Sequence, residues 1–437
     1  MALLATPRLR SIQRTALAML LVAGAVNYID RATLAVANPL IRNDLGLSVA
    51  DMGYLLSAFL WSYAFAQLPT GALVDRLGPR ILLTLGLTLW SGAQVLGGLV
   101  GNFGQFFGAR VLLGIGEAPQ FPAGARVARD WFNTRDRGLA TGIFNCASSL
   151  GTAIAVPLLT LLMLSFGWRW MFVIMGVAGL AVAAVWASLY RNPAQVDLTP
   201  EEQQYRREGD PPGQREHLTL REWKLLFRFR TTFGMILGYF GTIYLTWIYN
   251  AWLPGYLEIE RHMSVKSTGI FAAFPFACGV VGAVSGGWFV DVLARRGLSP
   301  VNSRKYPAAA ALLGTALFTL GATFVQSNTL AIVFISASLF LVYVTSTCAW
   351  ALTSVAAPTN CTASLGAVQN FGGYLGGALA PTVTGLIVQA TGSFVLALTI
   401  GAAIGIASAA SYLFIVRDPI TASAMDAIGP ALRPATG

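Results

Sequence analysis

Residues 71–80 read GALVDRLGPR, and residues 287–291 read GWFVD. The first closes an apolar run over 50–73 and opens onto another over 80–100; the second closes an apolar run over 266–291. Each run approaches or exceeds the roughly 20 apolar residues a helix needs to cross a bilayer. Gly71 and Gly287 stand 216 positions apart, close to half of the 437-residue chain. A second set of matches, Gly142 with Gly366 and Pro157 with Pro381, stands 224 apart. Offsets this similar predict a duplicated unit, and a duplicated membrane unit of this size predicts two six-helix halves.

Extending the same reading to both ends predicts twelve spans, over 15–37, 50–73, 80–100, 104–125, 138–163, 168–190, 232–256, 266–291, 306–326, 328–354, 362–389 and 393–416. The stretch from Tyr306 to Val416 holds no Asp, Glu, Lys or Arg, so its four helices are separated only at Asn328, at Pro358-Thr-Asn360 and at Thr391-Gly392. Residues 191–230 change character, with eight Lys/Arg, seven Asp/Glu and Pro193, Pro200, Pro211 and Pro212. They predict a solvated cytoplasmic linker between an N-terminal bundle (1–190) and a C-terminal bundle (231–437). The fold class expected is an all-α membrane protein of twelve transmembrane helices in two pseudo-symmetric bundles.

Composition agrees. Hydrophobic residues make up 55% of the chain and charged residues 11%, less than half the roughly 25% of a soluble domain, which excludes a cytosolic globular enzyme. The net charge of +10 reflects topology rather than a nucleic-acid partner. Of 29 Lys/Arg, 23 lie in the two terminal tails and the even-numbered connections, and only Arg42, Arg169, Arg261 and Lys266 lie on the opposite side. The excess of bases predicts that both termini and the linker face the cytoplasm. Arg8, Arg10 and Arg14 before the first apolar run look superficially like a signal peptide, but the run continues to Val36 and many similar runs follow, so it is read as a span. Cys146, Cys278, Cys348 and Cys361 lie singly among small or apolar residues, and the two histidines, His217 and His262, lie in polar segments. The cysteines read as packing residues, and no metal site or hydrolytic triad is expected.

Four ionisable residues break the rule of apolar helices: Asp30 and Arg31 in the first span, Arg110 and Glu117 in the fourth. Each costs about 2.5–3.5 kcal/mol at a helix centre on insertion scales, so they should face the bundle interior or an aqueous cavity. Arg110 and Glu117 are two turns apart on one face, with Gly114 between them, and that face is expected to line a cavity. An arginine there is a fitted receptor for a carboxylate, and a carboxyl group there can hold or release a proton. Together they point to an organic anion and a proton as the transported species. The plain alternative is a set of buried salt bridges that only pins the two helices.

Asn250 with Trp247 and Trp252, then Trp350, Ser354 and Asn370, supply polar and aromatic candidates in the C-terminal half. Tyr63 and Gln67 do so in the second span. For each, helix packing is the competing explanation. The loop residues Gly71, Asp75, Arg76, Gly78 and Arg80, with Asp291 in the second half, sit at helix ends. They are read as a gate in which Asp75 faces a helix N-terminus and the arginines bridge to acids. Gly372/Gly376 and Gly373/Gly377 allow close helix approach, with a hinge as the alternative.

The 71–80 loop strongly resembles the signature loop of the major facilitator superfamily. Asn27-Tyr28-Ile29-Asp30-Arg31, Met52-Gly53-Tyr54 with Ser57-Ala58-Phe59, and Arg110-Val-Leu-Leu-Gly114-Ile-Gly-Glu117-Ala-Pro119 with Phe121-Pro122 are similar to the anion:cation symporter family within it. The likeness extends to its bacterial D-galactonate, glucarate and hexuronate carriers and, more distantly, to animal sialin and vesicular glutamate carriers. The resemblance implies proton coupling at Asp30 and Glu117 and basic substrate contacts at Arg31 and Arg110. It further implies sugar-acid contacts at Tyr63, Trp350, Ser354 and Asn370. In the fifth span Ser148, flanked by Asn145 and Ser149, stands where the galactonate carriers have a substrate-contacting glutamine, a departure that suits a different hydroxy acid.

The function expected is a proton-coupled importer of a small organic anion, most simply a sugar acid, working as a monomer in a bacterial inner membrane by rocking of its two bundles. No cofactor beyond the coupling proton is expected. Rival readings are an exporter or antiporter, a carrier of aromatic carboxylates or tartrate, and a membrane sensor without flux.

Overall fold

A computed structural model describes residues 5–133, 136–208, 224–356 and 362–421; within its helices the side chains of 71, 72, 75, 138, 139, 145, 146, 149, 207, 362 and 363 are outside the described set. Every regular element among the described residues is helical. Pro7–Val36 is span one. Val49–Leu99 holds spans two and three, which meet at Gly78, and Arg137–Leu189 holds spans five and six, which meet at Gly167. Both glycines have positive φ, 75° and 84°, a conformation that costs a residue with a Cβ about 1–2 kcal/mol. A single residue therefore turns the chain back at each place.

Span four is where the expectation of one continuous helix fails. It runs as Phe103–Glu117 and then Gln120–Trp131, broken at Ala118-Pro119 because proline has no N–H to give the helix ladder. Spans seven to twelve follow as Arg230–Ile259, Val265–Phe271 with Ala273–Arg295, Asn302–Phe324, Asn328–Ala356, Thr362–Thr391, and Val395–Ala410 with the π-helical turn Ser411–Ile415. Among the described residues eight helical stretches are long and apolar enough by themselves to cross a membrane, and the bent pair Asn38–Leu45 and Val49–Thr70 makes a ninth. One of the eight, Leu150–Leu189, contains both sides of the Gly167 turn. The remaining spans are the broken fourth and the seventh, whose Tyr, Trp and Thr residues lower its hydropathy.

The chain divides into two compact units, Met1–Gly213 and Gln214–Gly437, and helix partners recur between them. Span one packs on five, two on four and three on six; seven packs on eleven, eight on ten and nine on twelve. Small residues permit these approaches. Gly151 meets Ala25 and Tyr28; Gly372, Gly373, Gly376 and Gly377 meet Ile236, Tyr239, Phe240 and Trp247. The glycine pairs of span eleven are therefore packing surfaces.

Two arginines, Arg169 and Arg261, bind helix ends in matching ways. Arg169 donates to the carbonyls of Val100 (2.6 Å) and Gly98 at the end of span three and pairs with Asp44 at 3.0 Å. Arg261 donates to Ala322 (2.6 Å) and Val325 (2.7 Å) at the end of span nine. Cations suit helix C-termini, where the free carbonyls and the dipole are negative.

The first part of the linker is docked rather than free. Pro200–Arg207 is a helix whose Glu202 and Tyr205 are 2% and 3% exposed. Thr6 donates to Glu202 at 2.6 Å, Tyr205 to Asp136 at 2.7 Å, and Arg206 to the Asp130 carbonyl. The Thr6 hydroxyl, with further hydrogen bonds from Thr199, holds the Glu202 carboxyl below its ordinary range.

Candidate functional site

Spans one and four carry the charge cluster, and the fold buries all of it. Asp30 and Glu117 are 0% exposed, Arg110 2% and Arg31 6%. Arg31 Nε donates to Glu117 Oε2 at 2.7 Å. Its guanidinium also lies 4.6 Å from the Tyr28 ring centre, 4.8 Å from Tyr63 and 5.2 Å from Phe59. Tyr28 precedes Arg31 by three residues, and Phe59 and Tyr63 are one turn apart on span two, so helical geometry brings the three rings around one cation. The Arg110 guanidinium lies 5.2 Å from the centre of that same Phe59 ring.

The cluster is under-bonded. Arg110 Nε and Nη1, Glu117 Oε1 and both carboxylate oxygens of Asp30 meet no hydrogen-bond partner among the described residues. The indole of Trp90 faces Asp30 and the amide of Asn27 faces Glu117, yet neither pair reaches hydrogen-bond geometry. Buried polar groups are ordinarily bonded, and an unbonded buried charge is costly. A guanidinium with two idle N–H directions is a site that an anion would complete.

One expectation about this cluster is corrected. Gly114 does not open a cavity between Arg110 and Glu117. It is the point where span four touches span two, and a Cβ there would collide with the Phe59 carbonyl, Ser62 Oγ and the Tyr63 nitrogen. The glycine buys close packing, which brings Phe59 and Tyr63 up against the two arginines.

Other candidates separate into groups. Tyr63 is fully buried, receives a 2.9 Å hydrogen bond from Gln67 and belongs with Arg31. Ser148 is half-buried on span five and its carbonyl accepts from Thr152; the side chains of Asn145 and Ser149 lie outside the described residues. In the C-terminal unit Trp350 is 45% exposed and its indole donates to Tyr239 at 2.9 Å. Ser354 is exposed one turn further along, and Asn370 is half-buried on span eleven. Trp252 is a packing residue, 1% exposed and bonded to the Pro381 carbonyl at 3.1 Å. Asn250 is half-buried and its Oδ1 meets no donor.

At the 71–80 loop, Arg80 is held within the first unit. It donates to the Ala187 carbonyl (2.8 Å) in the last turn of span six, while Asn192 Oδ1 accepts from its backbone N–H. A helix C-terminus is itself a negative partner, and the sequence offered no way to see that this end would be close. Gly78 sits against the Asn192 side chain. Arg76 and Asp291 are exposed; the burial of Gly71, the side chains of Asp75 and Cys146, and the residues His217 and Cys361 lie outside the described set. Cys348 is buried with its thiol on the Gly286 carbonyl, as a packing residue.

Sequence reasoning missed Tyr28, Phe59 and Trp90 as neighbours of the charges, and Tyr239 as the partner of Trp350. The first two had a signal, an aromatic residue one turn from a buried arginine or from another aromatic. The last two did not, because the partners come from different helices.

The chain matches the Major Facilitator Superfamily over residues 20–381. It is 44% identical over 413 residues, 94% of this chain and 91% of the relative, to the "Probable L-galactonate transporter" of Escherichia coli K12. It is 32% identical to the "D-galactonate transporter" of Escherichia coli O6:H1, over 92% of this chain and 95% of that one. To a "Probable galactarate/D-glucarate transporter" of Bacillus subtilis it is 34% identical, over 91% and 90%. In fold it resembles a crystal structure of a bacterial homologue of the human lysosomal transporter Spinster, inward-facing and unoccupied, with TM-score 0.74 at 20% identity, covering 96% of this chain and 94% of that one. Helical repeat, signature loop and full-length relatives converge: the chain is a multi-pass membrane transporter, not an enzyme, and belongs to the major facilitator superfamily.

Proposed function

We propose that this transporter is a proton-coupled symporter that imports a small organic anion, a sugar acid in the first instance, across a bacterial inner membrane. The observation that carries the reading is Arg110, a buried guanidinium with two N–H directions unused. Each of these N–H groups can donate a charge-assisted hydrogen bond to a carboxylate oxygen. The galactonate, galactarate and glucarate named for the relatives are hydroxylated carboxylates of the right chemistry.

Charge balance supplies the coupling. With both acids ionised, Asp30 and Glu117 neutralise Arg31 and Arg110. A proton on either acid leaves one positive charge, and an incoming monoanion cancels it. The loaded and empty clusters are then both neutral, which lowers the cost of moving the site through a membrane. Protonation of Glu117 also removes the negative charge that holds Arg31, freeing that guanidinium for the substrate. Tyr63 and Ser148 in the first half, and Trp350, Ser354 and Asn370 in the second, are assigned to the substrate's hydroxyls and carbon chain. Asp75, Arg76 and Asp291 are assigned to gating, with Gly71, Gly78 and Arg80 shaping and anchoring the loop. The protein works as a monomer, by alternating access, with both termini cytoplasmic.

The test is uptake and counterflow of L-galactonate, D-galactonate, galactarate and D-glucarate in proteoliposomes, with and without an inward proton gradient. We expect accumulation of at least one acid only with the gradient, and Glu117→Gln to exchange substrate without accumulating it. Uptake indifferent to the gradient would refute symport. Binding without counterflow would make the protein a receptor, and preference for an aromatic carboxylate or tartrate would remove the sugar-acid assignment.

A further inference from the structure

Trp350 is exposed over nearly half its surface, but its hydrogen-bonding edge is already taken. The indole N–H donates to Tyr239 Oη at 2.9 Å, and Tyr239 Oη lies 3.4 Å from Ser346 Oγ. Tyr239 is 3% exposed, and the two rings meet edge to face, 6.2 Å between centres at 80°. Span eleven backs the pair: Gly373 lies against the Tyr239 ring and Gly366 against one edge of Trp350. Ser346, Trp350 and Ser354 recur every fourth residue, so they share one stripe of span ten. Serines beside a half-exposed indole at membrane depth suit a water-filled surface better than hydrocarbon.

We propose that Tyr239 is a positioning residue that fixes the Trp350 ring so that its face, and not its N–H, meets the substrate. This rests on the reading that Trp350 contacts the transported acid. An indole has one donor and no acceptor; while that donor is bonded to Tyr239, the ring can offer only its face. An aromatic face receives C–H groups, so the C-terminal half selects the carbon chain of an aliphatic hydroxy acid by its C–H side, leaving hydroxyl recognition to Ser354 and Asn370.

The experiment is a double-mutant cycle on the full chain in proteoliposomes, with L-galactonate as the first probe and the three other acids as alternates. Tyr239→Phe keeps the ring and removes the acceptor; Trp350→Phe keeps a flat ring and removes the donor. Each should raise KM about three- to tenfold, the weight of one hydrogen bond, with the maximal rate held within about twofold. The double variant should be no worse than the worse single one. The emission assigned to Trp350, obtained by subtracting the Trp350→Phe spectrum, should shift to the red in Tyr239→Phe as the indole is released to water. An unchanged KM in Tyr239→Phe, or KM effects that multiply in the double variant, would overturn the proposal. If the parent protein carries none of the four acids, the sugar-acid reading fails separately; the emission shift then still decides whether Tyr239 holds Trp350, and its absence overturns that too.

Discussion

Spans one, three and four of the first unit and spans seven, nine and ten of the second occupy equivalent places in the repeat, yet their interiors differ in kind. In the second, Tyr249 Oη lies 2.7 Å from Thr319 Oγ1 and donates to Ser338 Oγ at 3.2 Å. Thr319 and Ser338 are 2.8 Å apart, and Ser338 also reaches the Thr315 carbonyl at 3.3 Å. Each hydroxyl there has partners, and Thr319 and Ser338 are fully buried. In the first unit the same three helices hold Asp30, Trp90, Arg110 and Glu117, all with polar atoms that meet no hydrogen-bond partner among the described residues. A saturated neutral network is complete as folded, whereas an unsaturated charged one leaves polar groups open to a further partner. The comparison sets a self-contained hydroxyl network in one unit beside a charged cluster in the other whose donors and acceptors are still open.

The largest effect that can break this contrast is on uptake. Arg110→Ala should lower substrate uptake by about 30- to 1000-fold, the range for removing a buried charged partner, while Tyr249→Phe should stay within a few-fold of the parent. Equal losses in the two variants would erase the distinction. A step down in size is the stability of the Arg31–Glu117 pair. Arg31→Ala leaves a buried carboxylate without its cation and should cost about 3–5 kcal/mol, visible in thermal melting of the solubilised protein. Replacing both residues by leucine should recover most of that stability while uptake stays lost. Next comes the neutral network itself: Tyr249→Phe should cost about 1 kcal/mol, with the remaining hydroxyls still bonded to each other. A loss as large as that of Arg31→Ala would mean the second network is as finely poised as the first.

The smallest expected effect lies at the linker helix Pro200–Arg207, which docks on the first unit. Because the Thr6 hydroxyl holds the Glu202 carboxyl below its ordinary value, the ionised form belongs to the docked state. Docking is then fully supported above the ordinary carboxylate range and lost as pH falls through the lowered value. A spin-label pair on Arg10 and Gln203 should keep its distance at pH 6 and lengthen in acid. In Glu202→Gln the distance should not depend on pH.

Much of this was legible in the residues. Duplication showed as Gly71 with Gly287 and Pro157 with Pro381, because both halves must solve the same packing problem with the same small residues. Spans showed as apolar runs, and the breaks at Gly78 and Gly167 fell between predicted helices. Asp30, Arg31, Arg110 and Glu117 stood out because a charge is rare at hydrocarbon depth. Less was legible about what each touches. Gly114 read as open space and proved to be a helix contact; the contact of Arg80 with the end of span six was not legible; the linker read as solvated and part of it is docked.

The sequence alone determined the class of solvent, the number of spans, the repeat and the four residues that violate the apolar rule. These are properties of composition and of position along one helix, governed by transfer free energies and helical period. Only the tertiary structure decided that Arg31 is bound by Glu117 within a box of aromatic rings, that Arg110 is left with idle donors, and that the Trp350 N–H is committed to Tyr239. Hydrogen bonds and ion pairs are short-ranged and directional, so they depend on which helix faces which, and no span encodes its neighbour's side chains.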